Sequence, residues 1–163
     1  MNYSSTTADN RGVLLFGGYQ WDAMSGAELA QGHNSAFVDK QNRSFVVYHT
    51  RFSNGGEGHQ VRVHQLFLND EGWLMAAPFE FDGETITDEA IASKASIADA
   101  DIAGDYQFMR HQYGQNTKAK AFETPVNITL NADGTITGAE KGTWKRTAGT
   151  DYIHLTINNV VYR

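Results

Sequence analysis

The sequence predicts an all-β protein in which a four-stranded antiparallel sheet is followed by a small β-barrel or sandwich. Runs rich in Val, Phe, Tyr, Thr and Ile recur along the 163 residues between turn-forming residues, as in antiparallel meanders. Between residues 82 and 101 the composition changes to Ala, Ile, Asp, Glu and Ser without strong aromatics. This change divides the chain into two strand-rich halves.

The first half contains four predicted strands, at residues 13–16, 35–39, 45–50 and 60–68. Turn residues separate the later strands, at 40–43 and at 53–58, and another turn follows at 69–72. Four consecutive strands with short links are typical of one propeller blade. We therefore predict a blade-like sheet over residues 1–84.

A linker is predicted at residues 85–103, with a short helix at 88–94 that Thr87 or Asp88 caps. Strands resume at 105–110, 126–130, 135–138, 142–146, 152–157 and 160–162. Six short strands at this spacing predict a small barrel or sandwich over residues 104–163. Because the last strand reaches Arg163 without a closing element, and because a lone blade needs neighbours, we expect a fold that is incomplete at both ends.

The composition limits the classes of partner that the chain could bind. The net charge is −6 and the 13 Lys and Arg residues form no run, which disfavours nucleic acid and anionic membrane surfaces. The absence of cysteine excludes disulfides, thiolate zinc sites and cysteine nucleophiles. The first ten residues lack the basic start and apolar core of a signal peptide, and no apolar window approaches about 20 residues.

Polar side chains are concentrated in two predicted strands of the first half. Strand alternation places His49 and Arg51 on one face, so that either could approach Gln65, and it leaves Tyr48 free to approach His64 in another register. One interpretation is that these side chains line a pocket. The other is that they form buried hydrogen bonds that lock the strands, with carboxylates such as Asp39 as partners.

His33 stands apart because it lies in the segment Gly-His-Asn-Ser, predicted as a turn that leads into a strand. Strand ends and loops are common places for functional sites. A single histidine is weak evidence for metal, since most metal sites need three or more protein ligands. His33 is therefore either a metal ligand or an ordinary loop histidine.

Motifs of nucleophilic catalysis and phosphate binding are missing from the sequence. Five carboxylates are predicted to be solvated rather than catalytic: Asp39, Asp70, Glu71, Asp82 and Glu84. Four aromatic residues are predicted either to stack on sugar rings or to belong to the core: Tyr19, Trp21, Tyr48 and Trp73.

Several segments, in this order and spacing, resemble the last blade of an endo-1,5-α-L-arabinanase of glycoside hydrolase family 43. They are Gly-Tyr-Gln-Trp at 18–21, Gly-His-Asn-Ser at 32–35, His-Thr-Arg-Phe at 49–52, Val-Arg-Val-His-Gln at 61–65, and 72–78 from Gly-Trp to Ala-Pro. The second half resembles the C-terminal β-barrel of the longer members, through 102–106, 130–136 and 142–144. Two positions depart from the family pattern, Gln31 in place of proline and Leu74-Met75 in place of Pro-Val.

The resemblance implies a five-bladed propeller that hydrolyses arabinan with inversion, with residues 1–84 as its terminal blade. The catalytic carboxylates would lie on earlier blades, so we expect none in this chain. His33 matches the family histidine that binds a metal ion, usually calcium, and Asn34, His49 and Arg51 are candidates for the substrate cavity. Calcium is expected to bind weakly or not at all to the isolated chain.

The partners implied are arabinan or arabino-oligosaccharides, the remaining blades on upstream sequence or on a separate chain, and a second copy of this chain. The resemblance also implies a secreted or periplasmic protein. The alternative is a non-catalytic carbohydrate-binding β module. A lipocalin-like barrel for an apolar ligand would account for the second half only.

Overall fold

The structure, a computed structural model, describes residues 14–56, 58–93, 97–111 and 121–163. Within these ranges the chain forms ten strands and two short helices: β1 (Glu28–Val38), β2 (Ser44–Phe52), β3 (Gln60–Leu68), β4 (Leu74–Ala76), α1 (Asp88–Ser93), α2 (Asp99–Ile102), β5 (Gly104–Phe108), β6 (Val126–Leu130), β7 (Thr135–Gly138), β8 (Gly142–Arg146), β9 (Ile153–Ile157) and β10 (Val160–Tyr162). The all-β prediction is confirmed. Neither helix has the length and apolar character needed to span a bilayer.

The chain divides into two compact units that interleave in sequence. The first unit contains the described residues up to Leu66, Leu74–Asp82 and the described part of Met109–Pro125. The second unit contains Phe67–Trp73, Gly83–Phe108 and Val126–Arg163. The domain boundaries predicted at residues 84 and 103 stay a prediction.

The first sheet is a meander with the strand order β1-β2-β3-β4. The predicted strand at 13–16 is wrong for residues 14–16, and residue 13 lies outside the described part of the chain. Leu15 and Phe16 instead belong to an irregular segment. Their apolar side chains pack against Val46, Tyr48 and Leu66 in the core, and these residues do not pair as a strand. The fourth strand is β4, which follows the turn ending at residue 72.

The first unit buries an unusual number of polar side chains. Glu28, Thr50, His64 and Gln65 are each 3% exposed or less, beside an apolar cluster around Tyr48. A buried polar group costs free energy unless it is hydrogen-bonded. The position of each side chain in this sheet is therefore fixed by specific partners as well as by apolar burial.

The second sheet is a six-stranded meander with the strand order β10-β9-β8-β7-β6-β5. Its core is aliphatic and consists of Ile102, Ile128, Leu130, Ile136 and Ile157. Four of the predicted strands have the predicted bounds, while the first ends at Phe108 rather than at 110 and the fifth begins at Ile153.

The linker helix begins as predicted. The Thr87 hydroxyl accepts a hydrogen bond from the Ala90 amide at 3.2 Å, which caps α1. The predicted end of this helix at Lys94 lies outside the described residues. The short helix α2 was not predicted from the sequence, and its last residue, Ile102, lies in the aliphatic core of the second unit.

Candidate functional site

Three histidines and an arginine form a continuous row on one face of the first sheet, which we call the histidine row. The Nδ1 atoms of His33 and His49 are 3.3 Å apart, and their ring centroids are 4.8 Å apart. The His59 ring lies 4.6 Å from the His49 ring. Arg51 Nε donates a hydrogen bond to His59 Nε2 at 3.0 Å. The structure thus brings together His33, His49 and Arg51.

A distortion of β1 places His33 in this row. The pairing of β1 with β2 shifts register on both sides of Gly32, which itself pairs with His49. His33 has a φ of 46° and Ala30 a φ of 54°, which is a conformation that residues other than glycine rarely adopt. A bulge re-aims side chains, and strained backbone of this kind is common at functional sites. The prediction of a turn at His33 is wrong, since the residue lies within β1.

Gln31, which replaces the proline of the family pattern, has a structural role. Its Nε2 donates a hydrogen bond to the Gly17 carbonyl at 2.9 Å. A proline at this position could not make that contact. The bond ties the irregular segment before Tyr19 to the strand that carries His33.

Hydrogen bonding constrains the protons of the row. Because Arg51 Nε is a donor, His59 Nε2 is the acceptor in their contact. Burial lowers the pKa of His49, and the neighbouring His59, His33 and Arg51 lower it further. The lowered pKa favours the neutral form of His49, which can accept a hydrogen bond or ligate a metal ion.

Asn34 does not join the row. It lines a separate cavity of about 220 Å³ together with Gln31, Gly32, Val46 and Tyr48. The exposed Asn34 side chain therefore has a setting different from that of His49 and Arg51. Its assignment to a substrate cavity stays a prediction.

His59, the third histidine of the row, was not predicted from the sequence. This residue follows a glycine in the loop between β2 and β3, and it directly precedes β3. Its glycine-preceded position at a strand end is the same signal that singled out His33. Loop residues beside a strand end carry function often enough that His59 could have been chosen on that basis.

A second polar cluster lies in the interior of the first unit, on the other face of β2. Glu28 accepts hydrogen bonds from the Tyr19 hydroxyl at 3.2 Å and from the Tyr48 hydroxyl at 2.9 Å. The Tyr48 oxygen is also 3.0 Å from His64 Nε2, and His64 Nδ1 donates to the Ala77 carbonyl at 2.8 Å. Of the two contacts left open by sequence, the structure forms the one between Tyr48 and His64.

The Tyr48 hydroxyl contacts two polar neighbours in this cluster. Tyr48 has one hydroxyl proton and two neighbours that can accept it, Glu28 and His64 Nε2. Both neighbours therefore depend on the same hydroxyl group. Burial raises the pKa of Tyr48, and the neighbouring Tyr19 and Glu28 raise it further, so the hydroxyl stays protonated. The cluster is a structural lock, in agreement with the second interpretation made for His64.

Three of the five candidate carboxylates pair with arginine or histidine side chains. Asp39 forms an ion pair with Arg43 at 2.7 Å within a turn. In the second unit, Asp70 Oδ2 lies 2.7 Å from His154 Nε2, and Glu71 pairs with Arg163 at 2.9 Å. Asp39 therefore does not pair with the strand histidines, as one interpretation had proposed.

Two of the four candidate sugar-stacking aromatics belong to the core. Tyr19 and Tyr48 are each 3% exposed, so their ring faces are closed to a ligand. Trp73 is 57% exposed, and Trp21 is half-buried at the edge of the first unit. Only the two tryptophans keep the potential to stack on a sugar.

The donor set for a metal ion is limited. In the part of the chain that the structure describes, no three or more His, Asp or Glu side chains form a group that could hold a metal ion. The two Nδ1 atoms of His33 and His49 face each other, so His33 can direct only its Nε2 to another partner.

Comparison with known proteins gives a consistent family result. The family model for the C-terminal lipocalin-like domain of glycoside hydrolase family 43 matches residues 78–163. An extracellular endo-α-(1→5)-L-arabinanase of Thermotoga petrophila is 39% identical over 150 residues, which are 88% of this chain and 30% of that protein. An extracellular endo-α-(1→5)-L-arabinanase 2 of Bacillus subtilis is 40% identical over 140 residues, which are 83% of this chain and 28% of that protein.

Solved structures agree in fold. A family 43 glycoside hydrolase, the YxiA protein of Bacillus licheniformis, has a TM-score of 0.76 at 36% identity and is matched over 91% of this chain and 31% of its own. The endo-1,5-α-L-arabinanase of Thermotoga petrophila has a TM-score of 0.73 at 38% identity, over 90% of this chain and 30% of its own. The chain thus spans less than a third of the length of the relatives it matches.

Proposed function

Because the chain belongs to the family of C-terminal lipocalin-like domains of glycoside hydrolase family 43, we propose that it is the C-terminal portion of an endo-1,5-α-L-arabinanase. The observation that carries this proposal is the identity of 39% and 40% to two extracellular endo-arabinanases over most of this chain. The substrate proposed is arabinan. The non-catalytic carbohydrate-binding module is not favoured, because these relatives are named as enzymes.

We propose that the catalytic carboxylates lie on sequence outside this chain. An inverting glycosidase needs two carboxyl groups about 6.5 to 9.5 Å apart, with space for a water molecule. Asp39, Asp70 and Glu71 are instead in ion pairs with basic side chains. Arg51 and the imidazoles of the histidine row supply hydrogen-bonding groups of the kind that position a polyhydroxy substrate.

The contribution of His33 to a calcium site follows from its donor chemistry. Calcium prefers six to eight oxygen ligands, whereas His33 is in contact with another imidazole. We therefore propose that the described residues supply too few ligands to hold calcium by themselves. In the longer protein, His33 would offer its Nε2 as one ligand, and the remaining ligands would come from water and from other blades.

We also propose that the first sheet is the terminal blade of a five-bladed propeller. The β1 strand is an edge strand, and its exposed side chains include Phe37 at 47% and Val38 at 60%. Exposed apolar side chains on an unpaired edge favour association. The partner would be the remaining blades, and secretion of the whole protein would agree with the extracellular relatives.

The test of this proposal is an assay of the purified 163-residue chain on linear 1,5-α-L-arabinan. We expect no hydrolysis by the chain alone. We expect hydrolysis when the preceding segment of the Thermotoga petrophila relative is supplied as a second polypeptide. Hydrolysis by this chain alone would contradict the placement of the catalytic carboxylates.

A further inference from the structure

A groove in the first unit lies apart from the histidine row and has the features of a sugar-binding site. Its volume is about 320 Å³, which is within the range of small-ligand sites. Glu28, Phe52, Arg62, Phe79 and Glu80 are among the residues that line it. We call it the Phe79 groove.

One wall of the groove is aromatic. Phe79 is 52% exposed, and its ring lies 5.9 Å from the Trp21 ring at an interplanar angle of 45°. Trp21 is held in place because its Nε1 donates to the Pro78 carbonyl at 3.1 Å. The exposed Phe79 ring, supported by a fixed indole, is a platform for the apolar C–H face of a sugar.

Another part of the lining is polar. The Arg62 guanidinium lies 4.7 Å from the centre of the Phe52 ring, and Arg62 Nε is 3.3 Å from Glu80 Oε2. Arg62 also donates to Gln60 Oε1 at 2.8 Å. The Arg62 side chain is 21% exposed and that of Glu80 is 49% exposed, so both can still reach a ligand hydroxyl. A guanidinium and a carboxylate side by side match the donor and acceptor pattern of adjacent sugar hydroxyls.

The charged residues that line the groove indicate which class of ligand it could bind. The charged residues among the described lining are Arg62, Glu80 and Glu28. The first two neutralise each other, and Glu28 accepts hydrogen bonds from Tyr19 and Tyr48. A groove without excess positive charge disfavours anionic ligands such as uronates or phosphates. It suits a neutral polyhydroxy chain.

The groove occupies a defined end of the sheet. Glu28 is the first residue of β1, Phe52 the last of β2 and Arg62 the third of β3. Arg51 lies at the same end, but strand alternation directs it to the opposite face of β2. A ligand in the groove therefore does not contact the histidine row.

From this geometry we infer that the Phe79 groove is an accessory subsite for a neutral arabino-oligosaccharide, with Phe79 as the stacking platform and the Arg62–Glu80 pair as the polar anchor. The choice of arabinose as the sugar rests on the proposed function. The groove would hold a segment of substrate away from the catalytic centre.

The test is a titration of the ¹⁵N-labelled 163-residue chain with linear α-1,5-arabinotetraose, followed by NMR. We expect saturable shifts of the amides of Met24, Arg62 and Phe79. Phe79→Ala should weaken binding about tenfold, as for the loss of one aromatic contact. Glu80→Gln should weaken it by a smaller factor. The control is Val160→Ala, which shortens a side chain that is 51% exposed in the second unit and should leave the affinity unchanged.

Two results would overturn the inference. One is the absence of shifts at the groove amides up to about 10 mM ligand, an affinity too weak for a subsite. The other is equal binding of trigalacturonate, since the groove should discriminate against a uronate. Either outcome would leave the proposed function intact if complementation with the preceding segment still restores arabinan hydrolysis.

Discussion

The two units differ in what they bury. The second unit has an aliphatic core made of Ile102, Ile128, Leu130, Ile136 and Ile157. The first unit buries Glu28, Thr50, His64 and Gln65 beside a small apolar cluster. An aliphatic core is stabilised by burial of almost any apolar side chain of suitable volume. A polar core is stabilised only when each hydrogen bond is made.

The first unit carries the candidate functional residues, and the second unit has a supporting role. The histidine row and the Phe79 groove both lie in the first unit. The buried cluster around Glu28 and Tyr48 fixes the strands that present them. The following experiments test whether stability depends on volume in one unit and on individual hydrogen bonds in the other.

The largest effect is expected from a cavity in the second unit. Leu130 is 2% exposed, and Leu130→Ala should lower the free energy of unfolding by about 3 kcal/mol. Urea denaturation monitored by NMR signals of the second unit measures it. Val160→Ala, at a residue 51% exposed, is the control and should change stability by less than about 0.5 kcal/mol. Equal effects of the two substitutions would contradict the assigned core.

The next largest loss of stability is expected in the buried polar cluster around Tyr48 in the first unit. Tyr48→Phe keeps the ring but removes the hydroxyl that joins Glu28 to His64, so two buried polar groups each lose a partner. We expect a loss of about 2 kcal/mol in the stability of the first unit. Tyr19→Phe removes a single contact with Glu28 and should cost about half as much. A neutral Tyr48→Phe variant would mean that this cluster does not lock the sheet.

The stability of the first unit should depend on pH through His111. Burial lowers the pKa of His111, although the Glu123 carboxylate acts in the opposite direction. Its Nδ1 accepts the Gly17 amide at 3.1 Å, a bond that requires an unprotonated nitrogen. The unfolded chain therefore binds a proton more readily than the folded one, and stability should fall as the pH drops below 6.5, the ordinary histidine value.

The measurement is the urea midpoint of the first unit at a series of pH values. His111→Gln should flatten the dependence between about pH 6.5 and 5. Val61→Ala is the control, because it changes a first-unit side chain that is 64% exposed and has no titratable group, and it should leave the slope unchanged. An unchanged slope in His111→Gln would contradict the role given to this half-buried imidazole.

The smallest effect is expected at an ion pair of the second unit. Partial burial alone would raise the pKa of Asp70, but hydrogen bonds from Thr147 and His154 and the charges of His154 and Arg163 lower it. The stability that Asp70 contributes is present above the ordinary value of 3.8 and is lost as the pH falls through the lower folded-state pKa. Asp70→Asn should cost less than about 1 kcal/mol at pH 7 and should reduce the loss of stability below pH 4.

The same contrast explains how much the sequence could predict. In the second unit, alternating apolar residues and turn residues such as those at 131–134 were enough to place β6, β7, β8 and β10 at their observed bounds. In the first unit, β3 was predicted correctly, but β4 was missed and residues 14–16 were assigned to a strand. Leu15 and Phe16 have strand-like composition, and only the tertiary packing directs them elsewhere.

The site was predictable in part. His33, His49 and Arg51 were selected from motif and strand alternation, and they do come together. The bulge around Gly32 was beyond sequence reasoning, since register shifts depend on the pairing of whole strands. His59 and Glu28 were missed because one lies in a loop and the other precedes the recognised motif.

The most direct test of the central claim is a chimaera in which this chain replaces the matching 30% of the Thermotoga petrophila endo-arabinanase. The measurement is the release of reducing sugar from linear 1,5-α-L-arabinan. We predict an active chimaera, with activity strongly reduced by His33→Ala and retained in Val160→Ala. A folded chimaera without activity, or one that is indifferent to His33→Ala, would contradict the assignment of this chain to the arabinanase propeller.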